Sequence, residues 1–435
     1  MENRNVNHYL LSDILQKIAL STFICVLWGI VLMGMAEWID YVSVLIVTFA
    51  LLIGTKSRAV IPYLLFSLAY FLLFFLGQLL LSTELIELRR YHSALESPAV
   101  FEFSLYFLAS SIGFFIFDKI APLRGELKLY SPQPETRLTF IIWAIVLILL
   151  FTLRDVSHPA LTILTKVVLP VFGFALLWSV RSKLFGILIL LVTLLPVISS
   201  RHIAGQFLAW AVLMYFVLEP YVKISIQNFV KLMVALLFLS VSIFIIGTAV
   251  KYDIEKIFNM KHYITRILLV QSHSSAKLVE IKNNNPEGAA ELYGGGIEYW
   301  SSLIPGVDKP VNAGDVTYKL SRDRINKTDL PYLPPGAPGE LYITLGLAGM
   351  VVGGALHGFL ISMLWFFACG FRASRVYSSL FTGATVFLCG IGTASLYGRI
   401  NSVKEAFYVL LAIGIVTAFV RWTKGFRQVN ANTES

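Results

Sequence analysis

Five arginines are the residues of this sequence whose type and placement best suit chemistry on a phosphate group. A guanidinium offers a planar fork of N–H donors that can bind two phosphate oxygens at once. Two of the five lie at the ends of apolar runs, and three lie in the single long polar segment of the chain. For each one taken singly, a salt bridge or a lipid headgroup contact explains the residue equally well. The five are Arg201, Arg266, Arg322, Arg324 and Arg399.

Three side chains could remove a proton from an attacking hydroxyl group, namely Glu340, His202 and His273. A carboxylate or an imidazole can act as such a general base, and the sequence does not rank the three. Tyr299 and Trp300 follow three consecutive glycines and could stack on a sugar ring. Their rings could equally anchor the chain at the interface between membrane and water.

The sequence offers no pattern for a metal ion or a nucleotide. It contains no DxD or HExxH run and no Walker-type glycine–lysine loop. The three cysteines all lie within apolar runs, so they predict neither a disulfide framework nor a metal site. We therefore expect no metal and no cofactor. A departing diphosphate would be stabilised by preorganised cationic side chains instead.

The composition is that of a membrane protein. Of the 435 residues, 57% are hydrophobic and 14% are charged, whereas a soluble domain carries roughly 25% charged residues. The formal net charge is +9, but most basic residues lie in short loops beside apolar runs, where they set orientation. The charge pattern therefore favours a membrane topology and gives no support for binding nucleic acid.

Repeated apolar runs predict an all-α integral membrane protein with about twelve transmembrane helices. Nine spans fall in residues 1–250 and form a first bundle. Residues 251–340 form one large polar loop, and residues 341–435 hold three further spans and a tail. The predicted spans are Ile18–Ala36, Tyr41–Gly54, Val60–Leu81, Val100–Phe117, Leu138–Leu153, Leu161–Trp178, Leu184–Ser199, Ile203–Leu218, Phe229–Val250, Leu341–Cys369, Tyr377–Leu396 and Ala406–Val420.

Basic residues set the predicted orientation. They favour one set of alternate loops by roughly three to one, and the positive-inside rule makes that side cytoplasmic. Both termini are then cytoplasmic, and Lys251–Glu340 lies outside. Among the acidic, basic and histidine side chains, His357 alone lies deep in a predicted span. We expect it to have a structural, hydrogen-bonded or solvated role.

The polar segment divides into three parts. Periodicity predicts a helix over Tyr252–Lys282 that ends before Pro286, with His273 on a basic face directed at water or headgroups. Pro331–Gly339 is expected to run extended because it is rich in proline. Glu340 should then stand in the first turn of the next span, where its charge favours the helix dipole. The glycines of that span predict close helix packing.

The chain resembles the Wzy-type O-antigen polymerases, which are bacterial oligosaccharide repeat-unit polymerases. The resemblance rests first on the architecture of many spans with one large loop late in the chain. Pro334–Gly349, PPGAPGELYITLGLAG, is similar to the family's Gly-Glu and aromatic motif at the entry to a glycine-rich span. Ser199-Ser200-Arg201 is similar to the Ser-Arg that opens a span in many members.

The resemblance implies a GT-C-like glycosyltransferase in the bacterial inner membrane with its active site facing the periplasm. It would transfer a growing glycan from undecaprenyl diphosphate onto the terminal sugar of a new lipid-linked repeat unit. The five arginines would bind the diphosphate, and Tyr299 and Trp300 the sugars. Its partners would be lipid-linked oligosaccharides, membrane lipid, a chain-length regulator and a flippase. The alternatives are an O-antigen ligase and a lipid-linked oligosaccharide flippase or transporter.

Overall fold

The computed structural model describes seven continuous stretches of the chain and some single positions outside them. The stretches are residues 37–78, 99–121, 270–293, 296–301, 336–370, 375–389 and 396–400. Every regular element in these stretches is helical, and none of the residues described there forms a strand. An all-α fold is therefore confirmed for this part of the chain.

Nine α-helices and two π-helical segments are described. The helices are α1 (Trp38–Gly54), α2 (Val60–Tyr70), α3 (Val100–Ile120), α4 (Val270–Asn284), α5 (Pro286–Tyr293), α6 (Gly296–Ser301), α7 (Ala337–Ala348), α8 (Gly354–Gly370) and α9 (Arg375–Leu388). One π segment, Phe71–Phe75, continues α2, and the other, Gly349–Gly353, joins α7 to α8.

Three helical stretches among the described residues are long and apolar enough to cross a membrane. They are Val60–Gln78, Val100–Ile120 and Ala337–Gly370, and the shorter α1 is also apolar. On α1, Leu45 and Phe49 are 55% and 57% exposed although both are large and apolar. Such a surface suits lipid rather than water. The chain is a membrane protein. The predicted spans at 138–199 and 406–420 lie outside the described residues, and of the span at 229–250 only Val234 is described.

Glycines set the contact between α3 and α8. A Cβ added to Gly358 would lie 2.0 Å from the carbonyl oxygen of Ser110, and one added to Gly113 would lie 2.0 Å from that of Ala355. The two backbones approach this closely only because the glycines have no side chain. The expectation that small residues in this span allow close helix packing is thus confirmed.

His357 lies buried in α8 and makes two hydrogen bonds. Its Nε2 lies 2.9 Å from the carbonyl oxygen of Leu388, and its Nδ1 contacts the hydroxyl of Tyr106. A carbonyl can only accept, so Nε2 carries the proton and Nδ1 accepts from Tyr106. The side chain therefore ties together α3, α8 and the end of α9, which confirms a structural, hydrogen-bonded role.

The start of the long span differs from the expected extended path. Helix α7 begins at Ala337, so residues 337–339 are already helical. Pro338 fits there because the first N–H groups of a helix have no partner within it. The helix is then interrupted at Gly346, where φ is +64° and ψ is −150°. Glycine alone adopts this region without strain.

Two further boundaries differ from the sequence predictions. Helix α9 ends at Leu388, well before the predicted end at Leu396, and a turn at Cys389 follows it. Helix α4 ends at Asn284 as predicted, but a second helix starts at once. Asn285 caps this helix by accepting the N–H of Gly288 at 2.9 Å, and Pro286 occupies its first turn.

Candidate functional site

Glu340 is the centre of a buried polar cluster at the start of α7. The side chain is 0% exposed. Its Oε1 accepts a hydrogen bond from the hydroxyl of Tyr299, and its Oε2 accepts one from the N–H of Tyr397 at 3.2 Å. One carboxylate therefore joins α6, α7 and the helical turn at 396–400.

Arg399 belongs to the same cluster. It is 2% exposed and lies within electrostatic range of Glu340. The guanidinium also lies within electrostatic range of Tyr106 and His357. Its charge therefore reaches from the Glu340 cluster to the contact between α3 and α8. Opposite charges that are buried together offset part of the cost of removing each from water.

The two aromatic residues of α6 lie in different surroundings. Tyr299 is 1% exposed, and its ring packs against those of Trp300 and Tyr397 with centroids 5.3 and 5.0 Å away. The expected stacking of Tyr299 on a sugar does not fit this position, because its ring faces are covered by protein. Trp300 is only partly buried, so the sugar-binding hypothesis is kept for Trp300 alone.

Trp300 and Thr344 add a second link between α6 and α7. The indole Nε1 of Trp300 donates to Thr344 Oγ1 at 3.1 Å. Thr344 Oγ1 in turn donates to the backbone carbonyl of Glu340 at 2.7 Å. An apolar layer supports these bonds and consists of Leu278, Ala289, Tyr299, Ile343 and Tyr397.

Helix α4 packs against the start of α7 through small and polar residues. A Cβ on Gly339 would lie 2.7 Å from the Cα of Ser275, and Ser275 Oγ accepts the N–H of Gly336 at 3.0 Å. One turn earlier, Ser272 Oγ receives Gln78 Nε2 at 2.7 Å and donates to the carbonyl of Phe74 at 2.7 Å. This polar contact joins α4 to both the long span and the first π segment.

His273 lies inside this contact and is 0% exposed. The predicted basic face directed at water is therefore wrong for this residue, because the surrounding serines and the two glycines let α4 approach α7 closely enough to bury it. The run Ser272-His273-Ser274-Ser275 carried a signal for this arrangement, since four small or medium polar residues in succession suit a close helix contact better than a charged surface.

The cluster is closed to substrate as it stands. Both carboxylate oxygens of Glu340 accept hydrogen bonds from the protein, and Arg399 is buried. In this conformation Glu340 does not act as a base on a sugar hydroxyl, and Arg399 does not bind a diphosphate. The roles expected of them from the sequence therefore require another conformation. What the observed arrangement does is fix α6 and the turn at 396–400 on the first turn of α7.

The structure brings together four of the ten residues that the sequence suggested: Glu340, Arg399, Tyr299 and Trp300. His273 is described but lies in the contact between α4 and α7, apart from this cluster. The other five, Arg201, His202, Arg266, Arg322 and Arg324, lie outside the described residues. Within the described stretches, no group of three or more His, Cys, Asp or Glu side chains could hold a metal ion.

Sequence reasoning missed two residues of the cluster. Tyr397 contributes a backbone N–H and a ring, and Thr344 contributes a hydroxyl. A backbone donor leaves no trace in the residue type. Thr344 did carry a weak signal, because it stands one helical turn after Glu340 on the same face of α7.

Comparison with known proteins adds no relative. No family model matches the sequence, and neither a curated protein nor a solved structure matches it.

Proposed function

We propose that the chain is a membrane glycosyltransferase that polymerises oligosaccharide repeat units carried on undecaprenyl diphosphate. The observation that carries the proposal concerns the stretch that resembles the polymerases. Its described part, residues 336–349, forms the junction between a membrane-spanning helix, the polar segment and the turn at 396–400. Glu340 of the Gly-Glu motif makes the bonds of that junction.

The proposed reaction moves a glycan between two lipid carriers. The hydroxyl oxygen of the acceptor's terminal sugar attacks the anomeric carbon of the donor glycan, and a new glycosidic bond forms. The bond between that carbon and the diphosphate oxygen breaks, and undecaprenyl diphosphate leaves with the electron pair. The hydroxyl proton passes to a base, for which His202 is one candidate and Glu340, once released from Tyr299, is another. Arginine side chains stabilise the departing charge.

The proposal includes the location of this reaction. The chain lies in the bacterial inner membrane with about twelve spans in a GT-C-like arrangement, and both of its termini are cytoplasmic. The polar segment lies in the periplasm, where lipid-linked repeat units would meet it. The apolar surface of the described helices supports a location in a membrane, and the bias of basic residues to alternate loops supports this orientation.

Deletion of the gene tests the function. A polymerase mutant should display surface glycan with single repeat units in place of long chains, and complementation should restore the chains. Loss of all surface O-antigen, with long chains still made on the lipid carrier, would favour a ligase. Loss of repeat units from the periplasmic face would favour a flippase.

A biochemical assay should accompany the genetics. Lipid-linked repeat units extracted from the deletion strain are given to the purified protein, and the products are separated by size. Products of two or more repeat units, with release of undecaprenyl diphosphate, are the expected result.

A further inference from the structure

The buried position of Glu340 and Arg399 raises the question of what covers them. Helix α6 lies over Glu340, since its Tyr299 hydroxyl binds the carboxylate. Besides the apolar packing of Tyr299, four polar or aromatic contacts of the described residues hold α6 and the turn after it. They are the bond from Tyr299 to Glu340, the bond from Trp300 to Thr344, the ring contacts with Tyr397, and a bond from Lys404 Nζ to the Leu303 carbonyl at 2.9 Å.

These contacts suit a segment that can be released. Three of the four are single hydrogen bonds, which join α6 and Leu303 to residues of α7 and to Lys404, and the fourth is a contact between aromatic rings. Helix α6 has six residues, too few to be stable without its contacts. In the sequence, Gly294 and Gly295 stand directly before it, and glycine has the widest choice of backbone angles. Trp300 is partly exposed, so a ligand can bind its ring and contact α6 there.

We propose that Gly296–Ser301 is a strap whose Tyr299–Glu340 bond acts as a latch on the site. With the latch closed, Glu340 and Arg399 are shielded from water and substrate. A glycan that binds the strap through Trp300 draws Tyr299 away and leaves the carboxylate and the guanidinium facing the substrate. The glycan part of this inference rests on the proposed function, whereas the latch itself does not.

Hydrogen exchange on the full-length protein in lipid nanodiscs tests the latch without any substrate. Tyr299→Phe removes the hydroxyl and keeps the ring. Amide exchange in residues 296–301 should then become faster on the order of tenfold or more, because a hydrogen bond to a charged acceptor is worth at least that in an equilibrium. Exchange in α4 should stay unchanged.

The matched control is Tyr342→Phe. Tyr342 lies two residues from Glu340 on α7, and its hydroxyl binds Asn283 Oδ1 at 2.7 Å, away from the latch. This variant should leave exchange in residues 296–301 as in the wild type. Unchanged exchange in Tyr299→Phe, or equal acceleration in both variants, would overturn the latch.

Kinetics with lipid-linked repeat units from the deletion strain separate a latch from a positioning role. A loosened latch raises the fraction of open molecules, so KM should fall several-fold with kcat unchanged. A fall in kcat at constant KM would mean that Tyr299 orients Glu340 and would overturn the latch. If the protein shows no polymerisation at all, the proposed function fails, and the exchange result still decides the latch.

Should Tyr299→Phe not reach the membrane, Lys404→Met tests the same idea from the other end of the strap. It removes the contact with the Leu303 carbonyl, and exchange in residues 296–304 should again rise while α4 keeps its protection. Unchanged exchange there would count against a releasable strap.

Discussion

At the scale of single residues, Glu340 and Arg399 carry opposite charges that are buried in one cluster. The carboxylate is stabilised by hydrogen bonds from the Tyr299 hydroxyl and the Tyr397 N–H, and by the nearby guanidinium. A buried charge depends on its hydrogen-bond and charged partners, because water does not reach it to take their place. The stability of the junction between α6, α7 and the turn at 396–400 should therefore depend on both residues.

Arg399→Ala should destabilise the protein by about 1–3 kcal/mol, because it removes a buried charged group and leaves the buried polar groups around it without that partner. Arg399→Lys keeps the positive charge and should retain more of the stability. Thermal unfolding in detergent, followed by size-exclusion chromatography, measures the difference. Wild-type stability in Arg399→Ala would show that the guanidinium does not stabilise the cluster.

Substitution of Arg201 or Arg266, unlike that of Arg399, should lower activity without lowering the amount of protein in the membrane. Both arginines are expected to bind the diphosphate. Replacement of either by Ala should therefore lower the polymerisation rate by roughly 10²–10³-fold, as the loss of a transition-state contact does. Protein levels in the membrane should stay normal. Arg201→Lys should restore only part of the rate, because an ammonium lacks the bidentate fork.

The rate of chain elongation by purified variants checks this prediction. A headgroup-binding arginine would tolerate Lys and lose little activity. Near-normal long-chain product from both Ala variants would remove Arg201 and Arg266 from the site.

The residue types singled out Glu340 and Arg399 of the cluster, but they predicted none of its hydrogen bonds. Glu340 stood out as a possible general base in the first turn of a span, and Arg399 as a cation at the end of an apolar run. The structure places both in one cluster. The burial of Glu340 did not follow from the sequence, because it depends on Tyr299 and Tyr397, which are 41 and 57 positions away. The burial of Tyr299 does not follow from the sequence for the same reason, since the sequence does not say which ring faces are covered.

At the scale of elements, the contact between α3 and α8 depends on the absence of side chains. Gly358 faces the backbone of Ser110, and Gly113 faces that of Ala355. A backbone cannot move aside as the end of a flexible side chain can. Substitution at either glycine must therefore separate the two helices.

Gly358→Val should cost about 1–3 kcal/mol or more, in the range of overpacked cores. Gly370→Val on the same helix is the matched control, because an added Cβ there meets nothing within 4 Å. Thermal unfolding of both variants in detergent measures the cost. Equal stability of the two would mean that the close approach of α3 and α8 contributes little.

The same glycine-rich span shows how far a pattern can be read. Its small residues predicted close packing, and Gly354 and Gly358 confirm it against α3. The interruption at Gly346 was not predicted, because the span contains several glycines. Only the positive φ of Gly346 distinguishes it from the other described glycines. Likewise, the proline-rich approach to the span was expected to be extended, but a proline in the first helical turn costs no hydrogen bond.

At the scale of the whole molecule, the orientation of the chain is the expectation on which the proposed site depends. The basic residues of the short loops favour one side of the membrane by roughly three to one. The described part of the polar segment packs on the first turn of a membrane-spanning helix. One end of that helix and the Glu340 cluster must therefore lie on the same side as this segment.

A reporter that is active only in the periplasm should be active when inserted near Asn284. This residue is exposed at the end of α4, so an insertion there disturbs little packing. A reporter that is active only in the cytoplasm, placed at the same position, should stay silent and provides the control. Cytoplasmic activity at Asn284 would reverse the topology and withdraw the polymerase proposal with it.

The interruption at Gly346 also has a consequence for length. An unbroken helix over Ala337–Gly370, which has 34 residues, would measure about 51 Å at 1.5 Å per residue. The hydrocarbon layer is only about 30 Å thick. Residues 347–370 alone would measure about 36 Å and suffice to cross it. The nine residues before the break are thus surplus to the crossing, and they include Glu340. The break lets this surplus turn away from the line of the crossing helix, so that the chain can carry a charged, hydrogen-bonded cluster at the membrane boundary without lengthening or tilting the span below it.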